Sequence, residues 1–274
     1  MLANVPLLAG VIANPPESED KGGRAVDGYW GPRTANTNWC EADYAVTHYV
    51  AEFWNTISSF AILLHGAYGY YKHSWAELRY HVAFAMFAVV GIGSALFHGT
   101  LWRSMQMMDE LPMMWGNCIF CYCLWCLEFV PGRSTLAAAV GFVTMTVAAT
   151  AAVVFLDDDD QTVFLLSYGS GLLYITYAGV TLDGKYGPKT GGTVPLMELA
   201  LLFYMGGLLV WLVDRTWCSQ VQSLQLHSVW HVCASTGTYL SVLHWVWLRE
   251  LFLERKPGFA GRLPAPIVTP GEKV

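Results

Sequence analysis

His227 and His231 stand four residues apart in the run His227-Ser-Val-Trp-His231. On a helix this spacing puts both imidazoles on one face, about 6 Å apart, where one metal ion can hold them. Zinc takes nitrogen ligands of this kind, usually with four ligands in all. An HxxxH pair alone is a weak signal, so a third ligand matters. His98 is the candidate, with Ser94 one helical turn before it on the same face. Asp109 and Glu110 follow after a short break. Three neutral nitrogens would leave zinc's fourth position to water, whose pKa then falls to about 7. No HExxH occurs, so the proton acceptor does not lie between the paired histidines. Asp109 is the candidate base, and Ser94 a candidate donor to a developing oxyanion. These residue types together point to hydrolysis of an amide or ester.

The elements that must carry these residues are legible in composition. Of 274 residues, 54% are hydrophobic and only 13% charged, about half the charged fraction of a soluble domain. The 12 Trp, 14 Tyr and 13 Phe exclude disorder. A net charge of −6 argues against a nucleic-acid partner, which needs a basic face. Seven apolar runs approach the ~20 residues that a helix needs to cross a bilayer. They are Thr47–Tyr71, Arg79–Leu101, Asp109–Val130, Thr135–Leu156, Thr162–Leu182, Val194–Asp214 and His227–Leu248. The expected fold is therefore all-α, an integral membrane bundle of seven transmembrane helices. Residues 1–46 form an N-terminal segment, 47–250 the helical domain and 251–274 a tail, rich in Pro and Gly and expected to be mobile.

Basic residues set the expected orientation. With the N-terminus luminal, ten basic residues fall on the cytosolic side and five on the other, of the 15 present. The acidic run Asp157–Asp160 then lies outside, and the C-terminal tail is cytosolic. Val5–Ala13 is apolar but no basic residue precedes it, so a cleaved signal is not expected and the first span directs insertion. Five of the seven cysteines lie within apolar runs. Cys118, Cys121, Cys123 and Cys126 look like a metal knuckle, yet on a spanning helix they read as packing residues. Cys40 and Cys218 both fall on the expected luminal side, where two lone thiols suggest a disulfide. Sequence gives no distance to prove that pairing.

Depth sorts the remaining histidines. His65, His73, His81 and His244 lie toward the cytosolic ends of their runs. His244 is thirteen residues past His231, roughly 20 Å along a helix, and cannot join the cluster. His48 lies at the correct depth and reads as interfacial. A site in the outer half of the membrane, walled by apolar side chains, implies a lipid substrate. A serine nucleophile at Ser94, following Gly91-Ile-Gly93, is the enzyme alternative, but it lacks the strand–turn–helix setting of a nucleophile elbow. A metal transporter would need polar groups along a full transmembrane path, and the inner halves of the runs supply few.

Several contiguous motifs carry a family resemblance. Gly28-Tyr-Trp-Gly-Pro32, Asn38-Trp-Cys-Glu-Ala-Asp43, Ala51-Glu-Phe-Trp-Asn-Thr56, Gly93-Ser-Ala-Leu-Phe-His98, Met108-Asp-Glu-Leu-Pro112 and His227-Ser-Val-Trp-His231 resemble the alkaline ceramidases, in order, from about Gly28 to Leu248. The resemblance implies a seven-helix zinc amidase of the endoplasmic reticulum or Golgi membrane that cleaves ceramide to a sphingoid base and a fatty acid. It implies zinc on His98, His227 and His231, with Ser94 and Asp109 beside the metal. It also implies a Ca²⁺ site on Asn38, the Trp39 carbonyl, Glu41, Asp43 and Glu52, an oxygen-only set suited to that ion. Asn38 stands where an aspartate is expected, and Glu52, near a helix start, otherwise lacks a partner. The resemblance likewise pairs Cys40 with Cys218. The rival from another class is a seven-helix receptor of the adiponectin-receptor type, which shares a Ser, three-His, Asp zinc site but has the opposite orientation and lacks the acidic Trp39–Glu52 cluster.

Overall fold

The structure, a computed structural model, describes residues 28–156, 161–186 and 196–273. The Val5–Ala13 patch, the Asp157–Asp160 run, Lys21, Arg24 and Lys189 lie outside the described residues. Seven of the described helices are 20 to 27 residues long: α1 Phe53–Lys72, α2 Leu78–Thr100, α3 Arg103–Trp125, α4 Arg133–Leu156, α5 Thr162–Tyr186, α6 Leu196–Thr216 and α8 Leu226–Phe252. Between the last two sits a short α7, Cys218–Val221, followed by a 3₁₀ turn.

Four of these helices, α2, α4, α5 and α6, are long and apolar enough to cross a membrane, as expected of a multi-pass membrane protein. α4 buries only Thr135 and Val153; a helix apolar on every side with almost nothing covered belongs in lipid. α1, α3 and α8 are as long but more polar. α8 buries His227, His231, His244, Arg249 and Glu250, and α3 buries Asp109 and Glu110. Polar groups at such a cost mark a site.

Helix starts differ from the expected boundaries for identifiable reasons. The first helix begins at Phe53 rather than Thr47, because the Glu41 carboxylate accepts the Trp54 and Asn55 N–H groups at 2.8 and 2.9 Å. It thereby satisfies donors that a helix leaves open at its start. The third begins at Arg103, not Asp109. Leu101 takes a left-handed conformation at φ 52°, so two residues suffice to turn α2 into α3. The Leu101 carbonyl then accepts the Thr34 and Ala35 N–H groups, which docks the N-terminal segment on that turn.

The largest apolar core lies at the end of the bundle away from the paired histidines. Tyr80, Phe84, Tyr239, Leu243 and Trp245 are all but fully enclosed there. The chain is not all-α. β1 (Arg255–Ala260) and β2 (Ile267–Lys273) pair antiparallel, with a register shift beside Pro257, which has no N–H to give a ladder. The tail expected to be mobile is thus an ordered hairpin, and Val268 is buried in the core.

Candidate metal centre

α2 carries His98 in its last turn, and α8 opens with His227 and His231 on its first two turns. The start of α8 is held by Asp214, whose carboxylate accepts the backbone N–H groups of His227 and Cys40. The three imidazoles are buried, with ring centroids 4.6 to 5.2 Å apart. Their ring nitrogens lie within 4.8 Å of one another. Among the described residues this is the one cluster of His, Cys, Asp or Glu close enough to share an ion, and the cysteines of α3 form none.

Two of the rings are aimed by partners on α1 or just before it. His98 Nδ1 pairs with Glu52 Oε2 at 2.5 Å, and His231 Nδ1 with Ser58 Oγ at 2.8 Å. With Nδ1 engaged, Nε2 is the nitrogen each ring presents to the cluster, as in metal sites whose ligands are fixed by a second hydrogen bond. His227 Nδ1 is buried without a hydrogen-bond partner. This ring is held instead by stacking on Trp39, centroids 3.8 Å apart, while the Arg215 guanidinium covers Trp39 at 5.0 Å. Three desolvated, mutually facing imidazoles with an unmatched nitrogen fit a soft divalent cation such as zinc.

Ser94 and Asp109 stand beside the cluster. Ser94 Oγ bonds Ser59 Oγ at 2.9 Å, and Ser59 approaches His231 Nδ1 at 3.5 Å. Asp109 lies outside the three-imidazole group, which suits proton transfer better than ligation. Its backbone presses on α2 at Gly93, where a Cβ would stand 1.9 Å from the Met108 carbonyl oxygen. Only glycine lets the two helices meet there. Glu110 accepts from Gln106 and Gln161. Ser94, Asp109, His227 and His231 line one end of a cavity of about 580 Å³. Its walls are apolar, with Phe87, Phe120, Leu172 and Trp230 among them. A cavity of that size, greasy with convergent polar groups at one end, suits a small lipid.

The acidic segment takes a different arrangement from the triad. The oxygens of Glu41, Asp43 and Glu52 do not gather as the imidazoles do. Glu41 serves the start of α1. Burial, helped by the charges of Glu52 and Asp43, pushes its carboxyl up to about 7 against the pull of those two N–H groups. Glu52, expected to lack a partner, has three: His98, the Asn55 amide at 3.0 Å and the Trp39 N–H at 3.2 Å. Asn38 is buried, and its carbonyl accepts from Arg215 at 3.4 Å. Cys40 and Cys218 meet with Cα atoms 5.3 Å apart, their sulfurs at bonding distance. His48 is exposed against Tyr49, and His244 faces Asp183 at the other end of the bundle. Neither joins the cluster, as expected.

Ser58, Ser59 and the Trp39 ring escaped the sequence reading. Two adjacent serines inside an apolar run were the available signal. Glu52→Gln keeps an oxygen for His98 but removes the charge that makes the bond strong. Metal affinity, read by competition with a chromogenic chelator, is expected to fall about 10- to 100-fold. An unchanged affinity would show that Glu52 does not act through His98.

Comparison with known proteins identifies the chain's relatives. The family model described as Ceramidase matches residues 31–260. Alkaline ceramidase 3 of Mus musculus is 31% identical over 249 residues, covering 85% of this chain and 91% of that protein. Alkaline ceramidase YPC1 of Saccharomyces cerevisiae is 26% identical, covering 84% of this chain and 81% of its own. An alkaline ceramidase of Arabidopsis thaliana is 27% identical over 78% of this chain and 84% of its own.

Proposed function

The chain belongs to the ceramidase family, and from that premise we propose that it is a zinc-dependent amidase that cleaves the N-acyl bond of ceramide within the membrane. The products are a sphingoid base and a fatty acid. One observation carries the reading: three buried imidazoles gather at one point, and two of them, His227 and His231, line an apolar-walled cavity together with Ser94 and Asp109. Family membership favours this over the adiponectin-receptor-like alternative.

His98, His227 and His231 would hold the zinc, which when bound would supply positive charge for the substrate carbonyl and a water acidified to near neutrality. The protein's own groups do the rest. The apolar walls take the hydrocarbon chains, so the amide comes to rest at the polar end. Asp109 accepts the proton of the attacking water and returns it to the departing amine, which would otherwise leave as an unstable anion. Ser94, fixed by Ser59, donates a hydrogen bond to the carbonyl oxygen as negative charge gathers there. Glu52 and Ser58 keep the rings of His98 and His231 in the orientation this needs.

The same reading has all seven long helices spanning the membrane of the endoplasmic reticulum or Golgi, with the metal end luminal and the C-terminal hairpin cytosolic. An oxidised Cys40–Cys218 pair would be stable in that lumen. It also assigns Ca²⁺ to Asn38, Trp39, Glu41, Asp43 and Glu52. The mutual repulsion of desolvated carboxylates at Glu41 supports a cation there, and the link from Glu52 to His98 gives it a route to the catalytic end. The decisive experiment is metal analysis of the purified protein with hydrolysis of a panel of N-acyl sphingoid bases. Stoichiometric zinc and amide cleavage are expected; a metal-free protein with full activity would overturn the zinc reading, and no cleavage of any ceramide would overturn the substrate.

A further inference from the structure

We propose that the C-terminal hairpin is a fixed strap that sets the wall of the substrate cavity at Ser235, with Tyr239 as the positioning residue that transmits it. This rests on the ceramidase reading and adds a determinant of substrate selection.

Three buried side chains of the bundle bond with this short hairpin. The Tyr239 hydroxyl donates to the Pro266 carbonyl at 2.6 Å. His73 Nδ1 pairs with the Gly69 carbonyl at 2.9 Å, so its Nε2 is the acceptor that takes the Val268 N–H at 3.1 Å. Glu250 accepts the Gly271 N–H through one oxygen, at 3.2 Å, and Arg255 through the other, at 3.0 Å. Tyr239, His73 and Glu250 are at most 5% exposed. Without the hairpin, their polar atoms would lose partners inside the protein, a costly state that keeps the strap docked.

From Tyr239 the structure continues to the cavity. Its ring stacks on His65 with centroids 5.1 Å apart. His65 Nδ1 in turn pairs with Ser235 Oγ at 3.2 Å. Ser235 lines the cavity one helical turn beyond His231. The pull of Pro266 on Tyr239 therefore fixes His65 and, through it, the wall that a hydrocarbon chain meets on leaving the metal end. Release of the hydroxyl lets that stack shift, and with it the wall at Ser235 past which a hydrocarbon chain must run.

The test compares wild type, Tyr239→Phe, which keeps the ring and removes the donor, and a chain ending at Leu253. The readout is the ratio of kcat/KM for N-octadecanoyl- and N-hexanoyl-sphingosine, with kcat and KM separated. We expect the ratio to change about fivefold in Tyr239→Phe, the worth of one hydrogen bond, through KM rather than kcat, and as much or more in the shortened chain. A purely structural hairpin would lower the melting temperature and leave the ratio alone; that result overturns the proposal. Should the shortened chain fail to fold, Tyr239→Phe decides by itself. If wild type cleaves neither substrate, the ceramidase reading fails and this one with it, whereas cleavage at an unaltered ratio sinks the strap alone.

Discussion

His231→Ala is expected to abolish both metal binding and ceramide hydrolysis. His231 sits at the centre of the cluster, with its ring 4.6 Å from that of His227 and 4.9 Å from that of His98. Removing it leaves two imidazoles, too few to fix zinc's tetrahedral geometry. It also takes away the ring that Ser58 aimed, leaving that hydroxyl its bond to the Asn55 carbonyl. Residual turnover below about one thousandth of wild type is expected, because the water loses the charge that acidified it. Elemental analysis should give far less than one zinc per chain, while the protein still elutes as a folded species from size exclusion. Full zinc content in the variant would mean that the ion is held elsewhere. Appreciable hydrolysis without zinc would mean that the metal does not do the chemistry.

Asp109→Asn should separate chemistry from metal binding. The amide has the size and shape of the carboxyl but cannot take a proton from water. Asp109 lines the cavity beside His227 and His231 yet lies outside the three-imidazole group, so zinc content should remain that of wild type. Loss of a positioned acid–base group costs about 10²- to 10⁴-fold, and the decrease should fall on kcat. Two outcomes contradict the assignment: turnover within threefold of wild type, or loss of zinc together with activity. The first would hand the proton to another group. The second would make Asp109 a fourth ligand.

The contrast between these two variants follows from geometry that is legible in the residues only in outline. His227 and His231 were readable as a pair because a helix repeats every 3.6 residues, and the helix is where the structure puts them. Ser94 with His98 obeyed the same rule. Asp109 was readable as a nearby carboxylate, but its helix position was not: α3 starts six residues earlier than expected, at Arg103, because Leu101 alone makes the turn. The first helix, by contrast, starts later than its apolar run, which opens at Thr47. Its true start at Phe53 depends on Glu41, twelve residues upstream, reaching across to its open N–H groups. Nothing near Glu52 in the sequence announces its bond to His98, which is 46 positions away.

Residue types and local spacing were enough to point to a helical membrane protein with a cluster of three histidines and a carboxylate near it. Those properties follow from the cost of placing each run in water or lipid and from helical periodicity, both of which act along neighbouring residues. Folding alone decided how the centre is aimed. Glu52 on His98, Ser58 on His231 across 173 positions, Trp39 over His227 and a strand packed beneath Tyr239 are contacts between distant parts of the chain. Their energies depend on short distances and mutual burial, and neither exists until the helices have packed.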